Sequence, residues 1–374
     1  MMRKFFLIIA LFCGLFSKAQ NYYLFIGTYT SGKSEGIYVY RFNSATGEAN
    51  TVSVASGVSN PSYLAISPSR KFVYAVNENG GEQPGEVSAF AFDKKTGKLS
   101  FLNKQHSGGD SPCYVSVDKS GKWVVVGNYT GGNLSALPVN ANGLLEPSAQ
   151  LIQHTGNSAN KSRQEKAHVH ATIFSPDYKY LIVPDLGMDK VMFYRFNPAQ
   201  KKPIMVTSNT IVSVPPGDGP RHVDFHPNGK YMYLIEEMSG TVAAYKYNNG
   251  KLSLIQRISS HPKDFSGEKG SADIHVSPDG KFLYASNRGD ANNIAIFSID
   301  AATGKLRNIG YQSVLGKTPR NFMITPNGKY LLVANQQSDN IVIFKRDMRN
   351  GLLTETGNQI NIPNPVCLKM ISAN

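Results

Sequence analysis

One phrase recurs six times along the chain of 374 residues: a tight turn that contains lysine, followed by a short apolar strand. "SPDGKFLYASN" and "TPNGKYLLVAN" are two of its copies, and successive lysines lie 51, 57, 51, 51 and 48 residues apart. Each copy is preceded by one apolar strand and followed by two more, of which the last is more polar, as in "GKLSLIQRIS". Four strands in a period of about fifty residues are typical of β-propeller blades. The repeat therefore predicts an all-β chain built from such blades.

The two ends of the chain supply a further blade. "YYLFIGTYTSGKSEGIYVYRF" near the N-terminus lacks a first strand, whereas "NPVCLKMI" near the C-terminus is a first strand with nothing after it. Pairing the two segments would close the ring and leave no free sheet edge. We therefore predict a seven-bladed β-propeller of four-stranded blades over residues 20–374, with the ring closed by pairing of the C-terminal strand with the N-terminal blade.

Residues 1–19 have the composition of a secretory signal peptide. Arg3 and Lys4 form a basic start, Phe5–Phe16 is apolar, and Ser17–Ala19 ends in a small-x-small pattern. We expect this segment to be cleaved and the product to be exported, either to the periplasm or out of the cell. No later apolar run reaches 18 residues, so we expect no membrane span.

Charge and cysteine content exclude two further interpretations. The net charge of +13 could indicate a nucleic-acid partner. The lysines, however, are spread over the repeated turns without a basic run, so we expect no such partner. Cys113 and Cys367 would lie on inner strands two blades apart, and a disulfide between them would require backbone distortion. We expect both thiols to be free.

Equivalent positions in the repeat indicate where a site could form. In a propeller the first strand of each blade lines the central channel, so one position near its start meets its equivalents at the axis. Around the ring this position holds Ser62, Cys113, His170, Arg221, Ala272, Arg320 and Val366. A second position, just after the second strand, holds Glu78, Tyr129, Leu186, Glu237, Arg288 and Gln336. If both positions face the same mouth, three adjacent blades contribute one charged cluster, formed by His170, Arg221, Glu237 and Arg288.

This cluster suits general acid–base chemistry on an anionic substrate. No G-x-S-x-G, H-E-x-x-H, C-x-x-C or P-loop motif occurs, so there is no obvious covalent nucleophile. Arginines bind carboxylate or phosphate, stabilise an oxyanion and would keep Glu237 ionised. His168 and His170 in "AHVHAT" have the spacing of metal ligands, but a third ligand is missing. We therefore expect neither a metal ion nor a cofactor.

Several long segments resemble a known family. "RQEKAHVHATIFSPDYKYLIVPDLGMDKV", "GPRHVDFHPNGKYMYLIEEMSGTV" and "ADIHVSPDGKFLYASNRGDANNIAIF" are similar to the seven-bladed propeller lactonases. That family includes propeller-type 6-phosphogluconolactonases and fungal carboxymuconate-lactonizing enzymes. The resemblance implies catalytic roles for the His of H-x-H, the Arg of G-P-R-H, the Glu after the next strand and the Arg of the N-R segment. In this chain they are His170, with His168 as the less favoured alternative, Arg221, Glu237 and Arg288.

Further residues around the cluster are expected to contact the substrate. They are Arg320, as a second anion-binding candidate, and His168, His222, Glu78 and Asn287. For His222 the alternative is a packing or hydrogen-bonding role on the inner strand. The longest period carries extra residues in "HTGNSANKSRQEKAH", and we expect this loop to border the mouth and to influence substrate choice.

The function that we expect is that of an exported lactonase acting on a sugar-type lactone, similar to 6-phosphogluconolactonase and independent of metal. Two alternatives stay open: a lactonizing or isomerising enzyme of the carboxymuconate type, and a non-catalytic exported propeller that binds a carbohydrate or a protein. The expected signal peptide argues against a phosphorylated cytoplasmic substrate. The oligomeric state is left open.

Overall fold

Seven four-stranded antiparallel sheets follow one another along the chain in the computed structural model, which describes residues 21–373 apart from the side chains of residues 207–210. Blade 1 contains β1 (Asn21–Thr28), β2 (Gly36–Asn43) and β3 (Ala49–Ser56). Blade 2 contains β4 (Leu64–Ile66), β5 (Phe72–Asn77), β6 (Glu86–Asp93) and β7 (Lys98–His106). Blade 3 contains β8 (Pro112–Val117), β9 (Trp123–Asn128), β10 (Asn133–Pro138) and β11 (Gln150–Gln153).

The second half of the chain repeats this order. Blade 4 contains β12 (Ile173–Phe174), β13 (Tyr180–Asp185), β14 (Lys190–Phe196) and β15 (Ile204–Ser213). Blade 5 contains β16 (Pro220–Phe225), β17 (Tyr231–Glu236), β18 (Thr241–Asn248) and β19 (Lys251–Ser259). Blade 6 contains β20 (Ser271–Val276), β21 (Phe282–Asn287), β22 (Asn293–Ile299) and β23 (Leu306–Ser313). Blade 7 contains β24 (Pro319–Ile324), β25 (Tyr330–Asn335), β26 (Asn340–Arg346) and β27 (Leu353–Asn361).

The last strand, β28 (Pro365–Ser372), is the inner strand of blade 1. It pairs antiparallel with β1, with Leu24 opposite Met370 and Ile26 opposite Leu368. The predicted propeller, its seven blades and the closure of the ring by the C-terminal strand are therefore confirmed.

The repeated turn joins the first and second strands of a blade. In blade 6 the Ser277 hydroxyl donates to Asp279 at 2.6 Å and accepts from the Phe282 amide at 3.0 Å. Gly280 has a φ of 71°, a conformation that glycine adopts without strain. Because this turn is tight, the start of each first strand pairs with the end of the second strand, as Pro220 does with Glu236. Both predicted positions of a blade therefore lie at the same end of the channel.

The apolar core lies between neighbouring blades. Tyr233 and Ile235 of blade 5, for example, pack in one buried cluster with Leu283 and Phe297 of blade 6. A glycine in the outer turn of one blade also contacts an aromatic ring of the blade before it. At Gly304 an added Cβ would lie 2.4 Å from the ring of Tyr231, so this close approach requires glycine.

Three further predictions concern the cysteines, membrane-spanning segments and the signal peptide. Cys113 and Cys367 are buried and free, as expected. Within residues 21–373 no helix is long and apolar enough to cross a membrane. Two short 3-10 turns, Leu186–Met188 and Gln336–Ser338, are the helical elements of this range. The predicted signal peptide lies outside the described residues.

Candidate active site

A cavity of about 1020 Å³ opens at the end of the channel where first strands begin and second strands end. Its lining is rich in charged and hydroxyl groups, among them Glu78, Tyr129, His170, Glu237, Arg288 and Arg320. A groove of about 1080 Å³ that borders blades 2 to 4 is lined by Phe72, Trp123 and several lysines, but by no histidine or carboxylate. The side chains that can perform acid–base chemistry are therefore concentrated in the first of these two cavities.

Below this cavity the channel narrows. A space of about 10 Å³ at the constriction is bordered by six of the seven residues at the predicted inner position: Ser62, Cys113, His170, Arg221, Arg320 and Val366. His170, Cys113 and Arg320 border both spaces, whereas Arg221 borders only the constriction. The predicted convergence of the inner positions is confirmed, and Arg221 lies in the floor of the cavity.

Irregular pairing explains why the inner position faces the channel. In blade 5 the strand register shifts between Pro220 and His222, so Arg221 has no partner in the ladder. Blade 7 shows the same shift around Arg320, and blade 3 shows it around Cys113. A bulge of this kind bends a strand and redirects a side chain. In these three blades the bulge therefore directs the residue at the inner position towards the axis.

Glu237 is the centre of the charged cluster. Its Oε1 accepts from Arg163 Nη2 at 2.6 Å, and its Oε2 accepts from Arg221 Nε at 2.8 Å. Arg288 Nη2 lies 3.0 Å from the same Oε2, and His170 Nε2 lies 3.9 Å from it. The carboxylate is thus surrounded by three guanidinium groups and one imidazole, and it is almost completely buried.

Backbone hydrogen bonds within each blade, between the start of its first strand and the end of its second, fix these groups. The Glu237 amide, just after β17, donates to Gly219 O at 2.7 Å, and the Arg288 amide donates to Gly270 O at 3.1 Å. Arg288 Nε donates to the same Gly270 oxygen at 2.8 Å, which fixes the orientation of its guanidinium. The amide of His170 donates to Pro184 O at 3.0 Å. Glu237, Arg288 and His170 are therefore held by the rigid scaffold rather than by free loop tips.

Burial and neighbouring charges set the ionisation of the cluster. Burial alone would raise the pKa of the Glu237 carboxyl, but Arg288, Arg221 and the other nearby groups hold that pKa well below its ordinary value. Burial, assisted by Arg221, lowers the pKa of His170 well below its ordinary value. Burial also lowers the pKa of Arg288 to about 10, against the attraction of Glu237. At neutral pH the cluster therefore contains a carboxylate, charged guanidinium groups and an uncharged imidazole.

A second carboxylate lies in the same cavity. Glu78 Oε2 accepts a hydrogen bond from Tyr29 OH at 2.9 Å and another from the Ser62 hydroxyl. Arg320 Nη2 lies 3.9 Å from Glu78 Oε1, and its guanidinium stands over the Tyr29 ring, 5.5 Å from the centroid. These groups form a polar wall that can donate to and accept from hydroxyl groups of a ligand.

Comparison with known proteins places the chain in a family. The family model described as "Lactonase, 7-bladed beta-propeller" matches residues 23–370. The chain belongs to this family. It is 40% identical over 351 residues to the 6-phosphogluconolactonase of Formosa agariphila, a match that covers 93% of this chain and 99% of that protein.

Two solved structures show the same lactonase-family fold. A crystal structure from Bacteroides fragilis is 45% identical and superposes with a TM-score of 0.90, covering 94% of this chain and 98% of that one. The periplasmic gluconolactonase of Pseudomonas aeruginosa is 38% identical, with a TM-score of 0.90 and coverage of 95% and 100%. The similarity thus extends over the whole propeller.

Three of the predicted substrate contacts do not line the cavity of this lactonase-family propeller. His168 stacks on Tyr129 with ring centroids 4.4 Å apart, and its Nε2 lies 3.1 Å from Glu165. His222 Nδ1 lies 2.8 Å from Asp273 Oδ1, beneath the cavity in the channel wall. His168 therefore supports the wall of the site, and the hydrogen-bonding alternative for His222 agrees with its position.

Asn287 is the third of these predicted contacts. It is completely buried, and its Nδ2 donates to Ser260 O at 2.7 Å in the connection from the blade before. The equivalent asparagines of three other blades make the same kind of bond: Asn77 to Ser59, Asn128 to Ser107 and Asn335 to Val314. This repeated bond joins neighbouring blades, so the position of Asn287 is explained by the architecture.

Sequence reasoning did not select several residues that the structure places in the cavity. Tyr29, Arg163, Lys269 and Lys317 line it. Arg163 belongs to the long loop that was expected to border the mouth, and its presence in the lining confirms that location. The extra length of this repeat period was the sequence feature that indicated the loop. No feature of the repeat indicates that Lys269 and Lys317 line the cavity. Among the described residues, no group of three His, Cys, Asp or Glu side chains could hold a metal ion.

Proposed function

We propose that this chain is a lactonase that hydrolyses a sugar-type lactone at the Glu237 cluster. The observation that carries the proposal is a buried carboxylate bound by three guanidinium groups, with the uncharged imidazole of His170 beside it at the mouth of the channel. The 40% identity to a 6-phosphogluconolactonase and the 38% identity to a gluconolactonase support the same reaction class.

In this proposal His170 is the general base. Glu237 is a poor proton acceptor, because both of its carboxylate oxygens already accept hydrogen bonds from arginines. His170 is uncharged and borders the cavity, so it can take a proton from a water molecule that attacks the lactone carbonyl. Glu237 Oε2, 3.9 Å away, then stabilises the imidazolium that forms.

The arginines stabilise the negative charge that develops on the carbonyl oxygen. Arg288 lines the cavity and is held by Gly270 O, so its guanidinium is oriented before the substrate arrives. Arg221 adds positive potential from the floor, where it is buried against Glu237. When the tetrahedral intermediate collapses, the ring C–O bond breaks and His170 returns its proton to the leaving alkoxide. The net reaction adds one water molecule and yields a hydroxy acid, without any step that requires a metal ion.

The second wall of the cavity is proposed to bind the rest of the substrate. Glu78 can accept hydrogen bonds from sugar hydroxyl groups, and Tyr29 fixes the carboxylate in place. Arg320 lies beside Glu78 and over the Tyr29 ring on this side, and it provides a cation for an anionic substituent. This arrangement fits a polyhydroxylated lactone better than an apolar one.

We further propose that the protein is exported. The composition of residues 1–19 supports this, as does the similarity to a periplasmic gluconolactonase. The physiological substrate would then be a lactone found outside the cytoplasm.

A substrate screen tests the proposal. Purified protein is mixed with aldonolactones, with and without a phosphate ester, and acid release is recorded in a pH-stat against the spontaneous rate. Enzyme-dependent acid release from at least one of them is the expected result. Lactone formation from an unsaturated dicarboxylic acid, without hydrolysis, would instead indicate a lactonizing enzyme. Tight binding of sugar acids without turnover would indicate a binding protein.

A further inference from the structure

Arg163 is presented to the cavity by a braced loop. It belongs to segment 154–172, between β11 and β12. The neighbouring Gln164 is completely buried, donates from Nε2 to Leu186 O at 2.9 Å and accepts from the Asn160 amide at 3.0 Å. Asn160 Oδ1 in turn accepts from the Arg163 amide at 3.2 Å. The backbone of Arg163 is therefore fixed, while its side chain extends over the site.

Arg163 differs from the other two arginines of the cluster in its exposure. Its side chain is 45% exposed, compared with 2% for Arg221 and 17% for Arg288. It donates to Glu237 Oε1 at 2.6 Å and to Tyr129 OH at 3.3 Å. Arg163 is thus the guanidinium of the cluster that a ligand entering from solvent can meet first.

Arg163 can exchange its contact with Glu237 for another contact with little loss of stability. An ion pair with a half-exposed partner contributes little to stability, whereas buried pairs are costly to break. If Arg163 moves away, Glu237 retains Arg221 and Arg288 on its other oxygen. The guanidinium can therefore exchange Glu237 for another anion and leave the buried part of the cluster intact.

We propose that Arg163 is a specificity-determining residue that binds an anionic substituent of the substrate, a phosphate ester or a carboxylate remote from the ring carbonyl. The proposal rests on the proposed lactonase function. A guanidinium binds either group through two parallel hydrogen bonds. A neutral lactone would leave Arg163 on Glu237, whereas an anionic lactone would gain the additional contact.

Matched pairs of lactones test this proposal with the Arg163→Gln variant. One pair is D-glucono-1,5-lactone and its 6-phosphate; the other is D-glucono-1,4-lactone and D-glucaro-1,4-lactone, which carries a carboxylate. Loss of a charge-assisted bond is expected to lower kcat/KM for at least one anionic lactone by about 10- to 100-fold, mainly through KM. Loss of the Arg163 contact with Glu237 affects both members of a pair alike, so the quantity compared is the ratio of kcat/KM for the anionic to the neutral lactone, which should fall by about 10-fold or more. The two pairs distinguish a phosphate from a carboxylate.

Two controls accompany the measurement. Lys161→Gln removes an exposed cation from the same loop at a residue outside the cavity lining. It should leave kcat/KM unchanged for both lactones of each pair. Arg163→Lys keeps the charge without the planar fork and should recover part of the selectivity. The proposal would be overturned if Arg163→Gln changed kcat/KM equally for neutral and anionic lactones. It would also be overturned if the change in kcat/KM did not exceed that of Lys161→Gln.

A binding measurement separates this proposal from the proposed function. If the wild-type protein hydrolyses none of the lactones, the lactonase assignment fails, and the Kd of 6-phospho-D-gluconate, D-glucarate and D-gluconate is measured by calorimetry instead. Weaker binding of either doubly anionic acid in Arg163→Gln, with D-gluconate unchanged, supports the anion-binding role. An unchanged ratio of Kd values refutes it.

Discussion

Replacing Glu237 with glutamine removes the negative charge that the cluster is built around, while the shape of the side chain is kept. Arg221 is the partner that loses most, because its side chain is only 2% exposed. Its other contacts in the buried floor are with the Ala272 carbonyl and the ring of His222. Arg163 and Arg288 border the open cavity and can be hydrated in the variant.

The expected loss of stability in Glu237→Gln follows from the burial of Arg221. Removing one member of a buried ion pair typically destabilises a protein by about 3–5 kcal/mol. Only one of the three arginines is fully buried, and the new amide oxygen still accepts a hydrogen bond, so we expect about 3 kcal/mol. Unfolding entropies of about 2.1 cal/mol/K per residue correspond to about 0.8 kcal/mol/K for this chain, so Tm should fall by about 4 °C.

Differential scanning calorimetry at neutral pH checks this value. Glu268→Gln is the matched control, because Glu268 is an exposed carboxylate in the lining of the same cavity. A surface change of this kind should shift Tm by less than about 1 °C. If Glu237→Gln left Tm unchanged or raised it, the carboxylate would not be balancing a buried cation, and the electrostatic description of the cluster would be wrong.

Two further predictions concern pH and packing. The pKa values of His170 and Glu237 are lowered, so the imidazole stays uncharged and the carboxylate stays ionised as the pH falls. We therefore expect kcat/KM to decline only well below pH 6.5. A decline with its midpoint at or above pH 6.5, measured in a pH-stat series, would contradict this. Gly304→Ala should destabilise by about 3 kcal/mol, because a Cβ would lie 2.4 Å from the Tyr231 ring and φ is 72°. Gly57→Ala is the control, because Gly57 has a φ of 79° but nothing lies within 4 Å of an added Cβ, and it should lower the free energy of unfolding by only about 1 kcal/mol. If urea denaturation showed equal losses of stability in the two variants, the contact with Tyr231 would not explain why Gly304 is required.

Much of the fold was predictable because the same turn and strand pattern recurs along the sequence. Lysine-containing turns at a regular spacing define the blades, and the incomplete blades at the two ends leave one way to close the ring. Equivalent positions then predicted His170, Glu237 and Arg288, since ionisable side chains occupy positions that hold residues such as alanine, valine or leucine in other blades. The bulge that turns Arg221 towards the axis was not predictable, because it depends on strand register rather than on residue type.

Some of the expected substrate contacts lie outside the cavity lining, for physical reasons. Asn287 was expected to contact the substrate, but a buried amide that joins two blades looks the same in sequence as an exposed one. The partner of His222, Asp273, lies 51 residues away and has no signal in the repeat. Arg163 lies in a loop without periodicity, so its contact with Glu237 appears only in three dimensions.

The central claim is that His170 and Glu237 carry out lactone hydrolysis together, and turnover of a hydrolysed aldonolactone by His170→Ala and Glu237→Gln tests it most directly. With a general base of this kind removed, kcat should fall by about 10²- to 10⁴-fold in His170→Ala. Glu237→Gln should also lose orders of magnitude, because the imidazolium is no longer stabilised, while calorimetry shows that both variants remain folded. Turnover close to that of the wild type in both folded variants would contradict the account.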